Sequence, residues 1–226
     1  MIKLGKNPSR RVAVYGGSFD PPHNGHLAIA KALVAQFELD EFVFIPAFHA
    51  PHKVRLKPTS AYDRYAMLCL ITENLPNISV SKMEIEMPER PYSVETLGRL
   101  NAKRPNDAIF FVMGADSWMD IKTWREWEKV LTMSNHIVVN RPGYDILFDH
   151  VTDEVRERIV DLRQKAEMNV GGKENPRSIF ITDAVEMNIS ATEIRKKIRN
   201  DDSTWRHDVP PEVTGYIYKY QIYTEL

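Results

Sequence analysis

Short apolar runs alternate with stretches of helical periodicity along most of the chain, and this alternation constrains the fold more than any other feature. A basic lead from Lys3 to Arg11 enters the apolar stretch Val12 to Tyr15, which Gly16 and Gly17 close. From His26 to Phe37, the residues Leu27, Ala30, Leu33, Val34 and Phe37 recur at helical intervals, and Glu41 to Pro46 (EFVFIP) is a second apolar run stopped by proline. Apolar residues at that spacing line one face of a helix, whereas short apolar runs bounded by turn residues read as strands. The opening of the chain is therefore a β-α-β unit.

The same order repeats. Helices are predicted near Ser60 to Asn74, with Ala61, Tyr65, Leu68 and Ile71 on one face, and near Val94 to Arg104; strands are predicted near Ile78 to Met87 and over Ala108 to Met113. The last of these, AIFFVM, is continuously apolar, as expected for a central strand covered on both faces. Trp124 to Met133 reads as a helix, and Ile137 to Asn140 and Ser178 to Thr182 read as strands. Strand-then-helix order predicts an α/β fold, a Rossmann-like and mostly parallel sheet with helices on both faces, whose ligands bind beyond the carboxyl ends of the strands.

Between the last two strands, Asp149 to Val170 sets Val151, Val155, Ile159, Leu162 and Ala166 on one face with charges elsewhere, and the GGKENPRS that follows is turn-rich. This is the pattern of an amphipathic helix with a solvated face, read as a helical insertion at about 149–177 within a single domain spanning 1–226. A chain of 226 residues that is 43% hydrophobic and 27% charged can bury one substantial core. Its formal net charge of -1 supplies no global field to hold a nucleic acid or an anionic membrane, so neither is an expected partner. The single Cys69 rules out an intramolecular disulfide framework and a multi-cysteine metal site. No apolar run reaches the roughly 18 to 20 residues that span a bilayer, and the opening residues lack the pattern of a signal peptide, so a cytoplasmic location is expected.

The stretch GGSFDPPHNGHLAIA, residues 16 to 30, places two glycines, a hydroxyl and two histidines between the end of a strand and the first turn of a helix. Glycines allow close backbone approach, and the free N–H groups and dipole of a helix start favour an anion, so this is a place for phosphate. His23 and His26 can present two N–H donors to one anionic centre, with Gly25 leaving room for it. Neither the dinucleotide fingerprint nor a P-loop is present, because Gly172-Lys173 is followed by Glu174. A second pair, His49 and His52, lies beside Lys53 in FIPAFHAPHK. Two such pairs raise a histidine-metal reading, but no Asp, Glu or Cys completes a ligand set at motif spacing, and no metal site is assigned. Further on, Gly114 and Asp116 end the most buried-looking strand, where a carboxylate suits a ribose hydroxyl pair or caps the next helix. In ISATEIR, residues 189 to 195, Ser190 and Glu193 have capping-box spacing, and Arg195 adds a guanidinium fork suited to phosphate.

Together these residues resemble the nucleotidyltransferase superfamily with the (T/H)xGH signature, and within it the bacterial nicotinate-nucleotide adenylyltransferase family. The resemblance runs in order through GGSFDPPHNGH, FIPAFHAPHK, RPYSVETL, FFVMGADSWMDIKTW, NRPGY, ISATEIR and VPPEVTGYIYKYQIY. It implies that His23 and His26 are catalytic and contact the ATP phosphates, within a loop of Gly16, Gly17, Ser18 and Phe19. It also implies that Ser190 and Arg195 hold the leaving pyrophosphate, that Gly114 and Asp116 bind the adenosine ribose, and that Ile189 lies near the adenine. Trp124 looks like the aromatic that stacks on the pyridine ring, Ser93 and Arg141 match positions around nicotinate mononucleotide, and Lys53 would bring charge to the acceptor. Ala191, Ala50, Phe48 and the long 149–177 segment depart from the family pattern.

The implied reaction joins ATP, carrying Mg2+, to nicotinate mononucleotide. Nicotinamide mononucleotide or phosphopantetheine as acceptor, a noncatalytic nucleotide-binding module and a histidine-metal hydrolase are the alternatives, and assembly into a homo-oligomer is left open.

Overall fold

The structure, a computed structural model, describes residues 10–48, 59–87, 91–141, 143, 145–163, 177–185 and 187–224. Seven strands form one sheet: β1 (Arg11–Gly17), β2 (Glu41–Pro46), β3 (Ile78–Val80), β4 (Ala108–Gly114), β5 (Asn135–Val139), β6 (Ile159–Asp161) and β7 (Ile179–Thr182). Their order is β3-β2-β1-β4-β5-β7-β6, and every neighbouring pair runs parallel. The helices are α1 (Asn24–Gln36), α2 (Ala61–Thr72), α3 (Ser93–Lys103), α4 (Ala115–Met119), α5 (Trp127–Met133), α6 (Asp153–Arg156), α7 (Ala191–Arg199) and α8 (Pro211–Tyr220).

Period-two alternation sorts the strand residues between two cores. Tyr15, Phe42, Phe44, Phe110, Val112 and Phe180 pack against α1, α2, α7 and α8. Their neighbours Val14, Val43, Ile45, Ile109, Phe111 and Ile181 pack against α3, α4 and α5 on the opposite face. Helices on both faces leave the strands little contact with water, which is why AIFFVM reads as an unbroken apolar run. Among the described residues, no helix is long and apolar enough to cross a membrane.

The order of strands reverses between β1 and β4. From β1 the chain moves outward through β2 to β3, then returns to place β4 on the other side of β1. Two loops leaving adjacent carboxyl ends in opposite directions open a crevice, the usual ligand site of such sheets. The segment that follows Gly17 and the segment Gly114 to Asp116 face that crevice from its two sides.

Two predicted elements differ in the structure. The strand expected to reach Met87 stops at Val80: Ser81 Oγ accepts from Met83 N, and Lys82 and Glu86 pair one turn apart, so the chain curls away from the edge. Of the helix expected over Asp149 to Val170, the described residues 149–163 form only the single turn α6, after which Ile159–Asp161 joins the sheet as its edge strand β6. Ile159, which shares a helix face with Leu162 in the sequence pattern, instead opens a short strand against β7, and Leu162 N just beyond it donates to the Ile181 carbonyl at 2.9 Å, so strand pairing gives that backbone its hydrogen bonds. Residues 164–170 of that predicted helix and the GGKENP of the turn lie outside the described residues.

Candidate active site

The candidate site is built on the turn between β1 and α1. Gly17 is required there by its own neighbour: a Cβ on it would stand 2.9 Å from Cζ of the Phe19 ring. Phe19 has φ 48, a left-handed conformation that costs a non-glycine residue about 1–2 kcal/mol. Burial of its ring offsets that cost, since it packs edge-on to Tyr15 at 5.4 Å, Phe44 at 5.3 Å and His26 at 4.9 Å between centroids. A side chain at Gly16 would meet only open space.

His23 is the N-cap of α1 and His26 its third residue, so the helix begins earlier than the apolar periodicity indicates. The two rings stack with centroids 3.6 Å apart, and the His26 Nδ1 accepts the His23 backbone N–H at 3.2 Å. Accepting at Nδ1 places the His26 proton on Nε2, leaving one defined N–H donor. His23 Nδ1 is buried with no hydrogen-bond partner among the described residues. Burial lowers the His23 pKa to about 4 and the His26 pKa well below its usual value; the Arg141 charge pushes both further down. Both rings are therefore neutral near pH 7.

Two details of the helix start differ from the sequence reading. Gly25 leaves room for the His23 ring itself, since a Cβ would lie 3.1 Å from His23 Nδ1. The first amide of the helix is not open to a ligand, because Asn24 N donates to the Asp208 carbonyl at 2.9 Å.

Across the crevice, Gly114 is the N-cap of α4, and Asp116 is the acidic residue of its first turn. A Cβ at Gly114 would lie 2.6 Å from Asp116 Oδ1, so the carboxylate leans over the glycine. Asp116 and Arg141 both act electrostatically on Tyr15, whose phenol burial raises to a pKa of about 12, and Arg141 acts on both histidines. Ile189 comes within reach of the helix start, its Cβ 3.9 Å from the position of a Gly25 Cβ. Ser190 is the exposed N-cap of α7, but its side chain makes no cap bond, so the predicted capping box with Glu193 is not formed. Arg195 Nη1 donates to the backbone carbonyl of Asp20 and lies 4.0 Å from its Oδ2.

The segments that carry Trp124 and Ser93 are linked through Arg125. Trp124 is half-buried, and it lies between a 3-10 turn (Ile121–Thr123) and α5 rather than within the predicted helix. Its ring meets Phe111 edge-on at 6.1 Å. Arg125 bridges this segment to α3, lying over the Tyr92 ring at 4.9 Å and 3.7 Å from Glu95 Oε1, next to Ser93. His49, His52 and Lys53 lie outside the described residues.

The structure gives parts to residues that the sequence reading assigned no role. Asp20 is buried, and its Oδ1 accepts the Tyr223 hydroxyl at 2.7 Å. Arg64 of α2 is 1% exposed and reaches under the same turn. A charged residue at helical spacing among Ala61, Leu68 and Ile71 was the available signal for Arg64; for Tyr223 it was its place at the end of VPPEVTGYIYKYQIY.

Residues 14–197 match the cytidylyltransferase-like family. A protein from Frankia casuarinae described as "Probable nicotinate-nucleotide adenylyltransferase" is 34% identical over 208 residues, 92% of this chain and 97% of its own. One of the same description from Citrifermentans bemidjiense is 35% identical over 218 residues, 95% and 99% of the two chains. The chain belongs to the cytidylyltransferase-like family, among the nicotinate-nucleotide adenylyltransferases. The fold of this cytidylyltransferase-like chain also matches that of Plasmodium falciparum nicotinic acid mononucleotide adenylyltransferase complexed with NaAD. The TM-score is 0.70 at 20% identity, covering 95% of this chain and 97% of the other.

Proposed function

We propose that this cytidylyltransferase-like protein transfers AMP from ATP to nicotinate mononucleotide, giving nicotinate adenine dinucleotide and pyrophosphate. The observation that carries the reading is the neutral, stacked His23 and His26 pair, which opens α1 at the carboxyl end of β1 beside the crevice with β4. The 30–35% identity to full-length relatives of that description supplies the reaction.

The acceptor's 5′-phosphate, with a second pKa of about 6, is an anionic nucleophile at neutral pH and needs no general base. One of its oxygens bonds to the α-phosphorus of ATP, the bond from that phosphorus to the bridging oxygen breaks, and pyrophosphate leaves with the electron pair. Catalysis then consists of alignment and of donors aimed at developing charge. His26 Nε2–H is such a donor, His23 stacks beside it, and Arg141 adds positive potential to both. In this reading the Gly16 to Phe19 loop receives the ATP phosphates, Ser190 and Arg195 receive the departing pyrophosphate, Gly114 and Asp116 hold the adenosine ribose, and Ile189 borders the adenine. Trp124, Ser93 and Arg141 surround the pyridine nucleotide, with Lys53 as a further charge.

Mg2+ enters with ATP, held by phosphate oxygens and water, the usual arrangement for this ion. The donor chemistry favours that over a resident ion: His26 Nδ1 already accepts a backbone N–H, and Asp20 already accepts Tyr223. The same commitments disfavour the histidine-metal hydrolase. Mass spectrometry of a reaction containing ATP, Mg2+ and nicotinate mononucleotide tests the proposal; folded protein that yields neither the dinucleotide nor pyrophosphate refutes it.

A further inference from the structure

The turn that carries the histidines is held from below by one buried cation. Arg64 Nη1 donates to the Ser18 carbonyl, Nη2 to the carbonyls of Ala47 at 2.6 Å and Phe48 at 3.2 Å, and Nε to that of Thr59 at 3.1 Å. These acceptors come from three separate places in the chain: the turn after β1, the end of β2, and the residues preceding α2. A guanidinium offers five N–H groups in a rigid plane, and four of them are used here on backbone oxygens. Ser18 immediately precedes Phe19, the left-handed residue whose ring packs on His26, so fixing the Ser18 carbonyl fixes the peptide that aims that ring. On the other side of Phe19, Asp20 is the carboxylate that acts on the Arg64 charge, and it is itself held by Tyr223.

We propose that Arg64 is a positioning residue for adenylyl transfer, which ties the Ser18 to His26 turn to the end of β2 and the start of α2 so that the histidine donors face the reacting phosphate. It touches neither nucleotide. The inference rests on the reading of the site as an adenylyltransferase centre, and the requirement for a fork follows from the geometry: a lysine ammonium keeps the charge opposite Asp20 but cannot reach carbonyls spread along a plane. Catalytic alignment is sensitive to displacements of about 1 Å, which cost on the order of 10²-fold in rate.

The test is Arg64→Lys, compared with Tyr216→Phe. The latter removes a 2.9 Å bond from α8 to Asp63 on the same helix and leaves the histidine turn untouched. In Arg64→Lys, kcat is expected to fall by about 10- to 100-fold while KM for ATP changes less than about threefold. Amide hydrogen exchange is expected to rise over residues 18–27 with little change in β4. Tyr216→Phe should lower Tm and leave both kcat and that exchange as in the wild type. Folded Arg64→Lys protein in which either kcat or the exchange of residues 18–27 is unmoved overturns the proposal. Should the wild-type protein make no dinucleotide, the reading of the reaction fails by itself, and the exchange measurement alone then decides the positioning role.

Discussion

His26 accepts the backbone N–H of His23 through Nδ1 while the two rings stack 3.6 Å apart, so the side chain that keeps its proton on Nε2 also closes the first turn of α1. His26→Ala is expected to lower kcat by roughly 10² to 10³, the scale of losing one preorganised donor to developing charge, with a smaller change in ATP affinity. His23→Ala should be similarly damaging. Steady-state kinetics of the two folded variants checks this, and near-normal kcat in both would remove the pair from the mechanism.

Burial of histidines also fixes the sign of a pH effect. The folded-state pKa is lowered to about 4 for His23 and about 3 for His136, from 6.5, mainly by desolvation. Below pH 6.5 the unfolded chain binds protons that the folded chain does not, so stability is complete above that pH and falls as pH drops toward 3–4. Each unit of depression is equivalent to about 1.4 kcal/mol. His136→Gln removes one titrating group, so denaturant unfolding measured between pH 7 and 4.5 should show a shallower decline than the wild type.

Gly114→Ala separates the fold from the site. The added Cβ would meet Asp116 Oδ1 at 2.6 Å, but that atom is the free end of a side chain and can swing away. Tm should therefore change little. The displaced carboxylate loses its proposed ribose contacts, and charged hydrogen bonds contribute about 1.5–3 kcal/mol, so KM for ATP should rise at least roughly tenfold. An unchanged KM would detach Asp116 from ATP binding.

Most of the fold was legible because strand and helix periods are local properties: EFVFIP and AIFFVM became β2 and β4 as read. The part of the 149–170 segment that joins the sheet, Ile159–Asp161, was read as helix because Val151, Val155, Ile159 and Leu162 fit a helix stripe, whereas pairing of Ile159 with Ile179 is a long-range event that no local pattern encodes. The site divides the same way. His23 and His26 announce themselves by spacing and by the glycines around them. Arg64 and Tyr223 act on Ser18 and Asp20 from far along the chain, and only the folded sheet brings them there.

Trp124 lies half-buried with its ring edge-on to Phe111, a contact that holds the ring in place while part of the residue stays open to solvent. Stacking on a base contributes about 1–3 kcal/mol, so Trp124→Ala should raise KM for the pyridine mononucleotide by about tenfold or more without changing KM for ATP. Binding of that acceptor alone should quench tryptophan fluorescence in the wild type and do so less in the variant. Equal effects on both substrates would assign Trp124 to the core.

Acceptor choice is the sharpest test of the proposed reaction, because nicotinate and nicotinamide mononucleotides differ only in a carboxylate against a neutral amide. Stacking on Trp124 serves both rings alike. Discrimination must come from donors and charge around the group, and in the proposed site the start of α3 would supply both. The Tyr92 N–H is already taken by Glu95 Oε2 at 3.1 Å, so the donors left there are the Ser93 hydroxyl and the first amides of the helix. Arg125 stands over Tyr92 at 4.9 Å and adds positive charge, partly balanced by Glu95. A carboxylate accepts from every such donor, whereas an amide brings its own N–H groups and leaves some unpaired. Hydrogen bonds to a charged group contribute about 1.5–3 kcal/mol, so kcat/KM for nicotinate mononucleotide should exceed that for the amide by at least roughly tenfold to a hundredfold. Arg125→Gln should narrow the ratio by raising KM for the acid more than for the amide. Steady-state kinetics with both acceptors at fixed ATP decides it: equal kcat/KM, or a preference for the amide, would remove the acid from the assignment and leave adenylyl transfer standing.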